Sequence, residues 1–497
     1  MNLQPDDEYN QALLRHVRPA GWVNPRPQGR YNLVVVGGGT AGLVAAMGAA
    51  GLGAKVALVE RHMLGGDCLN FGCVPSKALI RAGRAAYDAQ QLGEYGGAAS
   101  AVTVDFGAVM ARMRRLRAGI SHHDSAQRFA EAGIDVYLGH GEFVSPTELV
   151  VDGERLRFAR ALVATGARAV VPAIVGLAEA GFVTNETVFS LTTLPRRLAV
   201  IGAGPIGCEL AQAFRRFGSE VTMIAKDTEV LPREDADARA VLQAQLVAEG
   251  ITLALGADVV RVEAGSAGKV LYLAGDATVT VDEILVAVGR APNVESMGLA
   301  AAGIAVDRTG VVVDDRLRTA NHKIFAAGDV CSPFKFTHAA DAMARIVIQN
   351  ALFFGRKRTS ALTIPWATYT DPEVAHVGLY QAQAQARGYQ VATFTVQLSG
   401  LDRAILDGDT AGFARIVVNS KNGKLLGATA VGRHAGELIG EATLALRQGL
   451  RASALSSTIH AYPTQSEVWK RLGDAQQRTR LTPRARSIFR WLLAKRR

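Results

Sequence analysis

Gly65-Gly66-Asp67-Cys68-Leu69-Asn70-Phe71-Gly72-Cys73-Val74-Pro75-Ser76-Lys77 carries two of the chain's four cysteines, five positions apart. Zinc does not explain the pair. Cys-x4-Cys is not a ligand pattern by itself, and no His or Cys stands near it at ligand spacing. The residues that follow read as a helix beginning around Cys73 and running through Ala78–Tyr87. A thiol at a helix N-terminus has a lowered pKa, so its thiolate persists at neutral pH. One sulfur of such a pair can take electrons from a carrier while the other, more exposed, exchanges with substrate. The remaining cysteines, Cys208 and Cys331, read as buried packing residues.

Working upstream, Gly37-Gly38-Gly39-Thr40-Ala41-Gly42 follows an apolar strand, Tyr31–Val36, and opens a small-residue helix, Leu43–Ala50. A second strand, Lys55–Val59, runs into an acid, Glu60, where a βαβ unit of this kind places its ribose-binding carboxylate. Glycine is required where backbone must approach a pyrophosphate, and the helix N-terminus then stabilises the phosphate charge. Gly37, Gly39, Thr40, Ala41 and Gly42 are therefore expected to cradle a dinucleotide, with Glu60 on the ribose hydroxyls.

The pattern recurs further along the chain. Strand Leu198–Ile201 leads into a turn holding Gly202, Gly204 and Gly207, then helix Glu209–Phe217 and strand Glu220–Ile224. Here Ala225-Lys226 replaces the acid. A carboxylate there selects a free 2′-hydroxyl and a cation accommodates a 2′-phosphate. Lys226 and Arg233 therefore point to NADPH, with NADH as the alternative. Two dinucleotide sites beside a redox cysteine pair describe an electron relay from a nicotinamide, through a flavin, to a disulfide.

Length and composition agree. The 497 residues allow three or four domains, and 49% hydrophobic with 20% charged residues suits an enzyme with large cores. Four cysteines in so long a chain are not a disulfide scaffold, so a cytoplasmic, reducing compartment is expected. The stretch Leu33–Ala54 carries no charge and is long enough to imitate a membrane span, but its seven glycines break it into strand, turn and helix. No signal peptide is expected at the acidic N-terminus. The net charge of +10 is uneven: Arg478 to Arg497 holds eight Lys or Arg and no acid. This reads as a solvated basic tail. Ile488, Phe489, Trp491, Leu492 and Leu493 add the alternative of a weak contact at a membrane surface. No nucleic-acid module is present.

The expected fold class is α/β: two Rossmann-like dinucleotide-binding domains, for FAD and NAD(P), plus an α+β C-terminal dimerisation domain. The expected boundaries are 1–29 for an N-terminal extension, 30–160 for the first part of the FAD-binding domain and 161–289 for the NAD(P)-binding domain. Residues 290–360 return to the FAD-binding domain, 361–475 form the interface domain, and 476–497 are the tail. Thr165-Gly166 and the segment ending at Gly289 mark the two crossings.

From about Tyr31 to Leu472 the chain resembles the class I pyridine nucleotide-disulfide oxidoreductases, the family of glutathione reductase, dihydrolipoamide dehydrogenase and mercuric reductase. The segment Gly65–Lys77 is similar to that family's redox-active disulfide. The resemblance implies that Cys68 is the interchange thiol and Cys73 the flavin-side thiol, linked as a disulfide when oxidised. It implies that Gly66 and Asp67 contact FAD, and that Lys77 lies near the flavin and pairs with Glu209. Ala327-Gly328-Asp329 resembles the second flavin motif, with Asp329 on the ribityl chain. Thr337-His338-Ala339 resembles the segment beside the isoalloxazine. Tyr369 to Val374 resembles the opening of the interface domain, which implies a homodimer.

One departure matters. Where disulfide reductases carry His-Pro-Thr with a Glu five residues on, this chain has Tyr462-Pro463-Thr464 and Glu467. A phenol, with an ordinary pKa of ~10, is a poor base at neutral pH but can donate a hydrogen bond. The neighbouring His460 reads as structural. Tyrosine here is mercuric-reductase-like, although no Cys precedes Cys68 and none follows Cys331. The expected activity passes electrons from NAD(P)H via FAD and Cys68–Cys73 to a metal ion or small electrophile, with no resident metal. The alternatives are a disulfide reductase and a membrane-tethered flavin redox sensor. Catalytic roles fall to Cys68, Cys73, Lys77, Glu209, Tyr462 and Glu467.

Overall fold

A computed structural model describes residues 3–98 and 102–497 of the chain. Its contacts divide into two compact units: residues 1–228 with 249–362, and residues 229–248 with 363–497.

The first unit is built on a seven-stranded sheet. Its spatial order is Ile134–Leu138, Val56–Glu60, Arg30–Val36, Glu154–Val163, then the antiparallel pair Glu148–Val151 and Gly141–Ser145. Strand Ile324–Ala326 adds in parallel to Glu154–Val163. The central strands are β-branched and apolar because both faces are covered. Leu33, Val35, Val56 and Leu58 enter the core on one face, and Val34, Val36, Ala57 and Val59 that on the other. Helix Thr40–Gly51 buries Ala41, Ala45, Ala46 and Ala49. Its small residues let helix Thr337–Leu352 come close, and a methyl on Gly48 would lie 2.7 Å from Ile348.

The same unit holds a four-stranded parallel sheet in the order Thr252–Leu255, Glu220–Ala225, Arg197–Ile201, Glu283–Val286. A three-stranded antiparallel sheet spanning Val259–Val281 accompanies it. The two crossings pair with each other: Ala167–Ala169 lies antiparallel to Arg290–Pro292. Thr165 donates to the Asn293 carbonyl at 2.7 Å, and the Asn293 amide donates back to the Thr165 carbonyl at 2.9 Å. This clip joins two chain segments that are remote in sequence.

The N-terminal extension is more ordered than its polar, proline-bearing sequence suggests. Helix Glu8–Val17 is capped by Asp7 and buries Asn10, Leu13 and Val17. The chain then runs along the first sheet, with the Trp22 indole donating to the Val136 carbonyl at 3.0 Å.

The second unit is a five-stranded antiparallel sheet in the order Pro365–Thr368, Glu373–Gly378, Leu425–Gly432, Phe413–Asn419, Val391–Gln397. Helices Ala435–Arg447 and Glu467–Arg478 add to it, and Trp469 is fully buried among them. The segment Glu229–Ala248 groups with this unit, held by Glu234, which accepts from the indole of Trp366 at 2.7 Å and from the hydroxyl of Tyr380. Thus the expected fold class holds: an α/β chain with two dinucleotide-binding sheets and a C-terminal α+β layer.

Candidate active site

The two glycine loops are built alike. Gly37 and Gly202 have φ of +111° and +114°, and a Cβ on either would lie 2.3 or 2.5 Å from the carbonyl oxygen of Ala164 or Ala287. Gly42 and Gly207 are required by the turn itself, since a Cβ would strike the Gly37 or Gly202 oxygen. Gly39 and Gly204 differ. Nothing in the protein lies within 4 Å of a Cβ built on Gly204, and on Gly39 only Gly66, at 3.7 Å. Each is the N-cap of a helix, and neither supplies a side-chain cap. Uncapped helix N–H groups beneath an open glycine are what a pyrophosphate needs. Both loops therefore fit a dinucleotide, with Thr40 and Ala41 opening the first helix.

Glu60 ends its strand fully enclosed. Its carboxylate accepts from the Gly38 and His62 amides, each at 2.6 Å. Burial raises its pKa, and the two amides oppose that rise. The carboxylate thus both braces the loop and keeps further lone pairs for a ribose.

The cysteine segment hangs from this loop. The Gly65 amide donates to the Gly38 carbonyl at 2.9 Å, and a Cβ on Gly66 would lie 2.5 Å from Gly39 Cα. Cys68 lies on the short helix Gly66–Asn70, and Cys73 is the first residue of helix Cys73–Gln90. The two thiols are free, as in the reduced state. Cys73 Sγ stands 3.3 Å from Thr337 Oγ1, at the start of helix Thr337–Leu352. Cys73 thus meets two helix N-termini. A hydrogen bond from Cys68 does most to bring its thiol down to about 6, and Thr337 and Lys77 add to the effect. Cys68 moves the opposite way, because it donates to Cys73 and is buried. The pair therefore holds one thiolate, on Cys73, and one proton, on Cys68.

Lys77 Nζ lies 2.8 Å from Glu209 Oε2, which joins the cysteine helix to helix Pro205–Phe217 of the second glycine loop. His338 stacks on Phe336, with ring centroids 5.4 Å apart, and Ala339 is buried. Thr165 and Gly166 are engaged by Asn293, and Gly289 accepts from the Val170 amide at 3.0 Å. Cys208 is buried, its thiol donating to the Ala203 carbonyl. Burial pushes the Cys331 thiol up to about 12, so it stays protonated.

Arg290 was missed by sequence reasoning. Its Nη1 lies 2.9 Å from Asp67 and its Nε 3.8 Å from Asp329. Burial raises the pKa of both carboxyls, and Arg290 opposes it in each. The signal was present: an arginine in a buried crossing must find carboxylates. Arg117 was missed too. It is 2% exposed, and it donates to the Asn70 carbonyl at 2.7 Å, between the cysteines, and to Asn10 of the N-terminal helix at 2.6 Å.

The remaining expected residues have these surroundings. Tyr462, 71% exposed, donates to Asp402 at 2.8 Å, while Glu467 accepts from Arg471 at 2.9 Å, and Arg471 also lies 3.6 Å from Asp402. Lys226 is not an uncommitted cation, because its Nζ lies 2.8 Å from Asp258. Arg233 is exposed but belongs to the segment that groups with the second unit. His460 has both ring nitrogens engaged: Nε2 faces Glu441 at 3.0 Å and Nδ1 faces the Thr458 carbonyl at 3.2 Å. Among the described residues no cluster of His, Cys, Asp or Glu could hold a metal ion, and no helix is long and apolar enough to cross a membrane.

Residues 31–344 match the family described as pyridine nucleotide-disulphide oxidoreductase, and residues 364–472 match its dimerisation domain. The chain belongs to this family. It is therefore an FAD-dependent oxidoreductase that also binds a pyridine nucleotide, and its dimerisation domain supports a homodimer. Among its relatives is the mercuric reductase of Lysinibacillus sphaericus, 35% identical over 88% of this chain and 81% of the relative. The dihydrolipoyl dehydrogenase of Thermus scotoductus is 34% identical over 88% of this chain and 95% of its own. The HOCl-induced flavoprotein disulfide reductase RclA of Escherichia coli matches with a TM-score of 0.81 and 31% identity, covering 89% of this chain and 99% of that one.

Proposed function

We propose that this oxidoreductase passes two electrons from NADPH to a metal ion or small electrophile at Cys68. The observation that carries the reading is Tyr462 itself, a phenol where the acid–base histidine is expected, with its hydroxyl donating to Asp402. A disulfide substrate releases a thiolate that must be protonated, for which a general acid is worth ~10²–10⁴-fold. A metal ion held between thiolates, or an electrophile that takes electrons without such a leaving group, makes no such demand. His460 does not replace the acid, since both its ring nitrogens already face acceptors.

FAD in the cradle of Gly37–Gly42, Glu60, Asp67 and Asp329 supplies the means to turn a hydride into an electron pair for the cysteines. The chain's own part is to hold the proton on Cys68 and the charge on Cys73, and to keep Lys77 oriented through Glu209. Lys226 supports NADPH over NADH. Its pairing with Asp258 is a surface ion pair worth only ~0–1 kcal/mol, which a 2′-phosphate can displace. The domain boundaries read from the sequence, a cytoplasmic location and a weak contact of the C-terminal tail with a membrane surface complete the proposal.

An acceptor screen tests it. Hg(II), Cu(II), glutathione disulfide, lipoamide and quinones are compared with NADPH and with NADH as donors. Turnover is expected with a metal ion or small electrophile and NADPH. Faster turnover of glutathione disulfide or lipoamide makes the chain a disulfide reductase instead. A tenfold preference for NADH, about 1.4 kcal/mol, refutes the role of Lys226.

A further inference from the structure

The C-terminal segment Arg478–Arg497 supplies eight of the ten net positive charges of the whole chain. Most of this stretch is a second helix after Glu467–Arg478, running from Pro483 to Ala494. Thr482 caps it, accepting from the Ala485 amide at 3.2 Å, and Pro483 occupies its first turn. The sequence therefore starts this helix with two independent local devices, a side-chain cap and a proline at N1.

No residue of this helix is buried. At 3.6 residues per turn, Trp491, Ile488, Leu492, Phe489 and Leu493 spread over somewhat more than half of the helix surface, Arg490 lies opposite their centre, and Arg486 flanks Leu493. Arg484 precedes the apolar face, and Lys495, Arg496 and Arg497 follow it. Lys495 lies 3.8 Å from the centre of the Trp491 ring, which places a cation at the edge of the apolar stripe. Leu481, just before the cap, is also exposed.

We propose that this helix docks the enzyme on an anionic lipid surface, its apolar face in the acyl boundary and its arginines among the headgroups. The inference deepens the tail contact proposed above and is independent of the catalytic reading. Charge selects the occupant. A second copy would bring eight like charges against eight in a two-fold contact, which is repulsive. A nucleic acid would use the arginines but leave Trp491, Ile488 and Leu492 in water. An anionic bilayer satisfies both halves: apolar side chains enter the interface while each Lys or Arg near the surface adds ~fivefold to binding.

The test uses the full-length, FAD-loaded enzyme and sedimentation with vesicles. One set is phosphatidylcholine, and the other is phosphatidylcholine and phosphatidylglycerol in equal parts. Binding to the mixed vesicles is expected, weakened by salt, with at least ~tenfold less on phosphatidylcholine alone. Trp491 fluorescence is quenched by brominated acyl chains, and Trp491→Phe removes that part of the quenching while binding persists. Ile488→Asp with Leu492→Asp lowers binding by more than ~tenfold, and Arg486→Gln with Arg490→Gln lowers it and flattens the salt dependence. These side chains are not buried, so folding and turnover of a water-soluble acceptor stay at wild-type values. A failure here with turnover intact leaves the catalytic reading standing.

Three results overturn the proposal. One is no sedimentation with mixed vesicles at low salt. Another is binding unaltered by the two aspartates while duplex DNA competes for the enzyme. The last is loss of a higher oligomer in the aspartate variant, which assigns the face to a second copy.

Discussion

Removing the Cys68 thiol should raise the pH at which Cys73 becomes a thiolate. In the reduced pair the Cys73 thiol lies at about 6, against an ordinary 9.0. At pH 7 a midpoint of about 6 gives roughly ten thiolates per thiol, and a midpoint of 9.0 roughly one per hundred. The hydrogen bond from Cys68 is the largest cause of the lowering, Thr337 comes next and Lys77 after it, while burial acts against all three. Cys68→Ala should therefore shift the midpoint upward most, Thr337→Val less and Lys77→Met least. Cys68→Ser keeps a donor and should stay near wild type. Because the thiol is depressed, the thiolate is present above about 6 and is lost as pH falls through it. The assay is the pH dependence of alkylation of the reduced enzyme, with the modified residue mapped by mass spectrometry. Two results would refute the reasoning: Cys68→Ala titrating within a few tenths of a unit of wild type, or the low-pH midpoint surviving Cys73→Ser.

Arg290→Met leaves the half-buried Asp67 and Asp329 without their shared cation, at a cost of ~1–3 kcal/mol, read as a lowered Tm and loss of bound FAD. Asn10→Leu strands a donor of Arg117, at ~1–3 kcal/mol in denaturant unfolding, and shows whether the N-terminal helix supports the cysteine segment. Tyr462→His alone should raise lipoamide or glutathione disulfide turnover by well under ~10²-fold, because the carboxylate it needs, Glu467, is already ion-paired with Arg471. Adding Arg471→Gln should release Glu467 and increase the gain. A full gain from the single change would mean that the Arg471 pair is easily broken.

The parts of this enzyme legible in the chain are those with local causes. Gly37, Gly42, Gly202 and Gly207 are dictated by a short turn, where a side chain would strike the backbone of the same turn or of the strand beside it. The helix on which Cys73 stands follows from the residues after it, and Lys77 and Glu209 were expected as a pair through a family resemblance rather than through spacing. Short strands, glycine turns and the return of the Gly37–Gly42 pattern at Gly202–Gly207 specified the fold class by the same short-range logic.

What tertiary structure decided are the partners. Asp67, Arg290 and Asp329 are spread over the first unit, and they converge because Arg290–Pro292 pairs with Ala167–Ala169 beside the cysteine segment. Arg117 has no motif around it, and only Asn10 and the Asn70 carbonyl, both remote in sequence, give it partners. Lys226 looked available for a phosphate, and Asp258, from the turn after a later strand, lies beside it. Tyr462 and Glu467 have the family's spacing, yet the phenol takes Asp402 and the carboxylate takes Arg471. Spacing along a chain constrains backbone, and backbone turns are set by sterics within a few residues. A charged or polar side chain instead takes the best partner within reach once remote segments meet, and no local pattern encodes which partner that is.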